Sequence, residues 1–244
     1  MNAPVLYAAV LGAALASFAE ASALRLTENR SGWLARSRCG SCGSALSALE
    51  LLPIVSYLAL RGRCARCRAP IPVRCIVVEL IGAFAGASLG ACYAPAAWPQ
   101  LAVAVALAIG LGVSALTDLD TGYVYDFAVA APIAVIALAA LWAGRLPDAL
   151  TGGALCGGAL AALRLATRGC GMGAGDVKLA IVIGSALGPW GGARALGAAF
   201  VCGAAVSLAL LAVRRARWRD RVAFAPYLAL GTLTSVLVHS EGLH

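Results

Sequence analysis

Asp118 and Asp176 are the residues of this chain whose types and positions best suit chemistry. Asp118 follows the apolar run 101–117. Asp176 closes the stretch Gly171-Met172-Gly173-Ala174-Gly175-Asp176, just before another apolar run. A carboxylate near hydrocarbon costs roughly 2.5–3.5 kcal/mol, so it usually faces a polar cavity and works there. Two carboxyl groups within hydrogen-bond reach share a proton. One can take a proton from water while the other, protonated, polarises a scissile carbonyl. Asp120 and Lys178 flank the pair in sequence. Gly173 and Gly175 are expected to leave the backbone before Asp176 bare and flexible, open to an extended substrate strand. Spacing alone leaves two other readings open. The aspartates could be interfacial loop carboxylates paired with Lys178 or arginines, or they could form the proton relay of a transporter.

A second constellation is Cys39-Gly40-Ser41-Cys42 followed by Cys64-Ala65-Arg66-Cys67. Two C-x-x-C knuckles at this separation suit one tetrahedral Zn²⁺ held by Cys39, Cys42, Cys64 and Cys67, with four unmetallated thiols or an iron site as the other readings. Four thiolates leave no open coordination position, so the expected role is structural. Neighbouring Arg36, Arg38, Arg63, Arg66 and Arg68 are expected to favour the thiolates. The other cysteines, Cys75, Cys92, Cys156, Cys170 and Cys202, lie in or beside apolar spans and read as packing residues.

These groups need a membrane scaffold. Of 244 residues, 61% are hydrophobic and only 12% charged, and the mean hydropathy is +0.88. Soluble domains are about 45–50% apolar, and a helix needs about 20 residues to cross the bilayer. The chain therefore reads as an all-α polytopic membrane protein. About eight spans are expected, at 4–24, 75–93, 98–117, 124–143, 147–165, 177–187, 191–213 and 222–238. The sixth is short enough to be broken or re-entrant, which makes seven the rival count. The first span lacks a basic n-region and reads as a retained helix with its N-terminus outside.

Net charge is +8, and its placement sets the orientation. With 25–74 inside, the inner side collects 17 of the 19 Lys and Arg, leaving Arg145 and Arg194 outside; basic loops mark the cytoplasmic face. Asp118 and Asp176 then lie at the cytoplasmic ends of their spans. The expected organisation is a first transmembrane helix at 1–24, a small cytoplasmic zinc domain at 25–74, and a membrane catalytic domain at 75–244. A piece of about 50 residues needs a staple such as zinc to hold together. The arginine clusters adjoin apolar spans, which argues for membrane lipid and against nucleic acid as their partner. The only histidines are His239 and His244, and H-E-x-x-H is absent, so a Ser-His-Asp, Cys-His or zinc-protease site is not expected.

At this point the motifs resemble the type IV prepilin peptidases, a family of GxGD-type intramembrane aspartic proteases. Gly173-Ala174-Gly175-Asp176-Val177-Lys178 resembles its GxGDxK motif, and Leu116-Thr117-Asp118-Leu119-Asp120, with Asp126 beyond, resembles its first aspartate motif. Ser17-Phe18, Ser37-Arg38-Cys39, Leu52-Pro53-Ile54-Val55-Ser56-Tyr57-Leu58, Leu60-Arg61-Gly62-Arg63-Cys64 and Val78-Glu79-Leu80 match its N-terminal pattern. The resemblance covers nearly the whole chain. It departs at Tyr125, where Pro is common, at Glu20, where Asn is common, and at Cys-Gly-Ser-Cys, where the family usually has Pro after the first Cys.

The resemblance implies a bacterial inner-membrane enzyme that cleaves the basic leader from prepilins and pseudopilins on the cytoplasmic side. Asp118 and Asp176 would be its catalytic pair, with Asp120, Gly173, Gly175 and Lys178 as supporting motif residues. It also implies N-methylation of the new N-terminus with S-adenosylmethionine as donor. Glu28, Glu50 or Glu79 are candidates to guide a basic leader. The rival function is a proton-coupled transporter with a regulatory zinc ribbon.

Overall fold

The computed structural model of the chain describes residues 3–27, 36–92, 98–169, 171–213 and 222–238. Helices dominate, and no strand is present among the described residues. The helices are α1 (Ala3–Thr27), α2 (Val55–Ala59), α3 (Val73–Cys92), α4 (Trp98–Thr121), α5 (Asp126–Trp142), α6 (Leu146–Ala166), α7 (Ala174–Ala212) and α8 (Ala225–Val238). Five of them, α1, α3, α4, α6 and α7, are long and apolar enough to cross a membrane, and α5 and α8 are shorter apolar helices. The chain is thus a multi-pass membrane protein. It divides into two compact units, Met1–Pro95 and Ala96–His244.

In the first unit α1 and α3 run antiparallel along a ladder of small residues. A Cβ on Gly12 would lie 2.2 Å from the carbonyl oxygen of Gly82, and one on Gly86 would lie 2.1 Å from that of Ala8. Gly82, Gly86 and Gly90 recur every four residues, one face of a helix, so the two backbones touch where larger side chains would part them. Toward the cysteine segment the same seam turns polar. Ser17 Oγ donates to Glu79 Oε1 at 2.8 Å, and Arg74 Nε pairs with Glu20 Oε1 at 3.0 Å. The pairing with Arg74 accounts for Glu20, whose side chain is nine-tenths buried; a buried carboxylate requires such a partner.

The segment between these helices is built of short turns. A 3-10 turn at Leu49–Leu51 leads into α2. Between them Ile54 sits at φ 64°, ψ −51°, a strained setting for a β-branched residue. Its N–H donates to Glu79 Oε2 at 2.7 Å. Both carboxylate oxygens of Glu79 are therefore committed to structure, and Glu50 Oε2 caps the Ser47 N–H at 2.8 Å. Glu28, the third acidic residue raised from sequence, lies outside the described residues.

In the second unit α6 and α7 pack backbone to backbone. A Cβ on Gly152 would meet the carbonyl oxygen of Gly184 at 2.1 Å. Leu160, Leu179, Val182, Ile183 and Leu228 fill the interior, with Ile136, Leu107 and Leu111 joining them from α5 and α4. The expected sixth and seventh spans form one helix, α7, broken at Gly188 (φ 70°, ψ −178°) just before Pro189. Proline removes the hydrogen bond that would continue the ladder, and glycine takes the left-handed turn. The third span also runs further than its hydropathy indicates: α4 continues to Thr121. Asp118 and Asp120 are therefore helical and do not lie in a loop. The basic run 214–221, Cys170 and both histidines lie outside the described residues.

Candidate functional site

Five helix ends in the second unit build the site. Asp118 lies in the last turns of α4, and its Oδ2 accepts the backbone N–H of Ala225, the first residue of α8, at 3.0 Å. Pro226 follows at once, the residue type favoured where a helix begins. A helix N-terminus carries unsatisfied N–H groups and partial positive charge, so Asp118 occupies a ready-made anion site. Asp176 lies in the first turn of α7, only 9% exposed. Its Oδ2 accepts the N–H of Gly173 at 3.0 Å, reaching back over its own helix start. The two carboxyl groups come from residues 58 positions apart in sequence and sit within electrostatic reach of one another. Each is held by a backbone N–H at a helix N-terminus, which steadies its orientation and leaves the other oxygen available.

The glycines of the motif do a different job from the flexible one expected. A Cβ on Gly175 would lie 2.7 Å from Cβ and Cγ2 of Val124, and one on Gly173 would lie 3.0 Å from Asp176 Oδ2. Gly175 lets the first turn of α7 press against the α4–α5 connection, and Gly173 lets the carboxylate fold back. The space beside both is filled by the protein itself. The loop is also pinned: Met172 is buried in the core, and Arg164 Nη1 donates to its carbonyl oxygen at 3.0 Å.

Lys178 pairs with Asp126, the first residue of α5, across the surface. The pair stands over a groove of about 420 Å³ lined by Val129, Ala130, Ile133 and Ile181. Asp120 is exposed on the last turn of α4. A larger cavity of about 570 Å³, between α6 and the second half of α7, is lined by apolar residues and Cys156 and carries no charged group.

The second cluster lies in the first unit. The sulfurs of Cys39, Cys42, Cys64 and Cys67 all fall within 4.8 Å of one another, and those of Cys39 and Cys67 are 3.7 Å apart. Tetrahedral Zn–S bonds of about 2.3 Å place sulfurs about 3.8 Å apart, so the donor set fits Zn²⁺. Each knuckle is a tight turn. Cys39 N–H bonds to Ser44 and Gly43 N–H to Cys39 in one, and Cys64 N–H bonds to Ala69 and Arg68 N–H to Cys64 in the other. Gly43 and Arg68 take the left-handed conformation that closes them.

Without a cation the crowded thiols titrate far apart. The Ser44 hydroxyl and then its backbone hydrogen bond hold Cys42 down at about 6. Backbone hydrogen bonds from Cys67 and Arg66 lower Cys64. Cys67 receives a lowering backbone hydrogen bond from Ala69. Desolvation and its sulfur neighbours outweigh that bond and leave the thiol at about 11. A divalent metal is what lets all four ionise together. The largest lowering contributions come from hydrogen bonds and not from the arginine side chains, contrary to the expectation from sequence.

Two family models match. The bacterial peptidase A24 N-terminal domain covers residues 10–93, and the type IV leader peptidase family covers residues 105–208. Among curated proteins, one from Burkholderia pseudomallei is 32% identical over 221 residues, covering 80% of this chain and 65% of its own length. One from Aeromonas hydrophila is 34% identical over 222 residues, covering 83% of this chain and 71% of its own length. One from Pseudomonas putida is 33% identical over 240 residues, covering 85% and 74%. All three are named prepilin leader peptidase/N-methyltransferase. The chain thus spans about two thirds to three quarters of these relatives' lengths. No solved structure matches it.

Proposed function

Because the chain belongs to the type IV leader peptidase family, we propose that it cleaves the leader from prepilins or pseudopilins, with Asp118 and Asp176 as the catalytic carboxyl pair. The observations that support this reading are that each carboxyl group is oriented by a helix-terminal N–H and that the start of α7, which bears Asp176, packs at Gly175 on Val124 in the connection that follows Asp118. One carboxylate takes a proton from water as its oxygen attacks the scissile carbonyl. The other, protonated, donates to the developing oxyanion. Collapse of the tetrahedral intermediate breaks the C–N bond, and the first carboxyl returns its proton to the leaving amine. No covalent enzyme intermediate is required.

The groove beneath the Lys178–Asp126 pair would receive apolar side chains of the substrate. The one-sided arginines support a cytoplasmic site in a bacterial inner membrane. Residues 1–24, 25–74 and 75–244 would serve as first helix, zinc domain and peptidase domain. A proton-coupled transporter would need charged groups at several mid-membrane positions. In the second unit Asp176 is the only buried charged residue among those described.

N-methylation of the new N-terminus is part of the same proposal. Zn²⁺ would be held by Cys39, Cys42, Cys64 and Cys67 and would brace a segment with little apolar core. S-adenosylmethionine, when bound, supplies an electrophilic methyl group; no residue is assigned to hold it.

The test incubates purified protein with a prepilin peptide, with and without S-adenosylmethionine, and weighs the products. Cleavage is expected in both cases, with a methyl increment only in the first. Asp118→Ala and Asp176→Ala are expected to abolish cleavage while membrane insertion persists. Full cleavage by either variant refutes the catalytic assignment, and an unmethylated wild-type product refutes the transferase half alone.

A further inference from the structure

We infer that Arg164 is a positioning residue for Asp176, acting through the single peptide group that joins Met172 to Gly173. The inference rests on the reading of Asp176 as catalytic. Arg164 lies in the last turn of α6, and its Nη1 donates to the carbonyl oxygen of Met172 at 3.0 Å. The N–H on the other side of that peptide bond belongs to Gly173 and donates to Asp176 Oδ2 at 3.0 Å. Guanidinium, peptide plane and carboxylate thus form one hydrogen-bonded chain. A cation on the carbonyl polarises the amide and makes its N–H a stronger donor, since bonds in such chains reinforce one another.

The plane needs this support because of what adjoins it. Gly173 has no Cβ, so rotation about its φ meets little steric resistance. A flip of the peptide would turn the N–H away from Asp176 and present a carbonyl oxygen to it. Met172 anchors one side by its buried side chain, but a side chain does not by itself fix the plane that follows it. Arg164 does, and its own place is set by the way α6 ends. Its carbonyl accepts Gly169 N–H at 2.8 Å, and Arg168 and Gly169 take left-handed conformations that fold the chain back. The guanidinium lies over Gly169, where a Cβ would stand in ordinary contact at 4.0 Å from Arg164 Cζ and Nη2; glycine is suited to this position by its positive φ of 77°.

The experiment uses the full chain in detergent with a synthetic prepilin-leader peptide, comparing wild type, Arg164→Met, Arg164→Lys and Asp176→Asn. Arg164→Met is expected to lower kcat about tenfold with KM within about twofold, since the group acts on the chemistry and not on substrate binding. Arg164→Lys, which keeps a long cationic donor, is expected to recover kcat to within about threefold of wild type. In parallel, hydrogen exchange read by mass spectrometry is expected to accelerate in a peptide spanning 171–176 for Arg164→Met and not for Arg164→Lys. Should Arg164→Met not fold, Arg164→Gln, a neutral donor, is measured in its place, with kcat expected to fall between wild type and Arg164→Lys on one side and tenfold loss on the other. Wild-type kcat and exchange in the neutral variant overturn the inference, as does a loss that lysine fails to repair. If Asp176→Asn cleaves normally or wild type does not cleave, the peptidase reading has failed, and the exchange measurement still decides whether Arg164 holds the plane.

Discussion

Gly175→Ala isolates the packing role of the second motif glycine. The added methyl would stand 2.7 Å from Cβ and Cγ2 of Val124. Carbon atoms normally approach to about 3.5–4.0 Å, so roughly 1 Å of overlap must be relieved. The body of α7 cannot easily yield, because Leu179, Val182 and Ile183 are almost wholly buried just beyond. The displacement must therefore be shared between the start of α7, which bears Asp176, and the 122–125 connection, which follows directly on the end of α4 bearing Asp118. Either movement changes the separation of the two carboxyl groups. Misplacement by about 1 Å can reduce a catalytic rate about 10²-fold, and overpacking costs about 1–3 kcal/mol of stability. Gly175→Ala should thus lower kcat for prepilin-peptide cleavage by one to two orders of magnitude and lower the midpoint of thermal unfolding in detergent. Val124→Gly removes both carbons that clash, so the double variant should recover at least tenfold over Gly175→Ala. A single variant that cleaves within threefold of wild type refutes the reasoning, as does a double variant no better than the single.

Two further outcomes follow from the site geometry. Cys64→Ser should reduce bound zinc, measured by elemental analysis, from about one per chain to a small fraction, because Cys64 is one of four mutually close thiols in a closed site; leader cleavage should stay within about threefold, since Asp118 and Asp176 belong to the other compact unit, and methyl transfer should be lost. Lys178→Met and Asp126→Asn should each alter thermal stability only slightly, by an amount corresponding to about 0–1 kcal/mol, because both partners of that pair are well exposed; a loss of cleavage in the lysine variant that far exceeds the loss of stability would assign Lys178 a direct part in the reaction.

Much of this protein can be read from its side chains in order. The apolar runs place the helices to within a few residues, because span length is set by bilayer thickness and by the need to satisfy every backbone group internally. The two C-x-x-C knuckles point to four clustered thiols able to hold a metal, because thiolate chemistry and short turns suit that spacing. Asp118 and Asp176 stand out because a carboxylate beside hydrocarbon is expensive to keep. The arginine at the end of α6 carries no such signal. Many helices end on a basic residue, and nothing local reveals that its guanidinium reaches the Met172 carbonyl eight positions on.

What the tertiary structure alone decides is which backbone groups face the two carboxyl groups and where there is room for a methyl group. Asp118 is oriented by an amide 107 positions away, at Ala225, and an amide donor has no residue type to betray it. Gly175 is required by Val124, and Glu79 is committed to Ser17 and to the strained Ile54 turn, contacts that exist only once helices distant in sequence have packed. Residue identity governs helix periodicity and ligand chemistry locally. The direction of an N–H and the clearance around a Cα are set by neighbours that arrive with the fold.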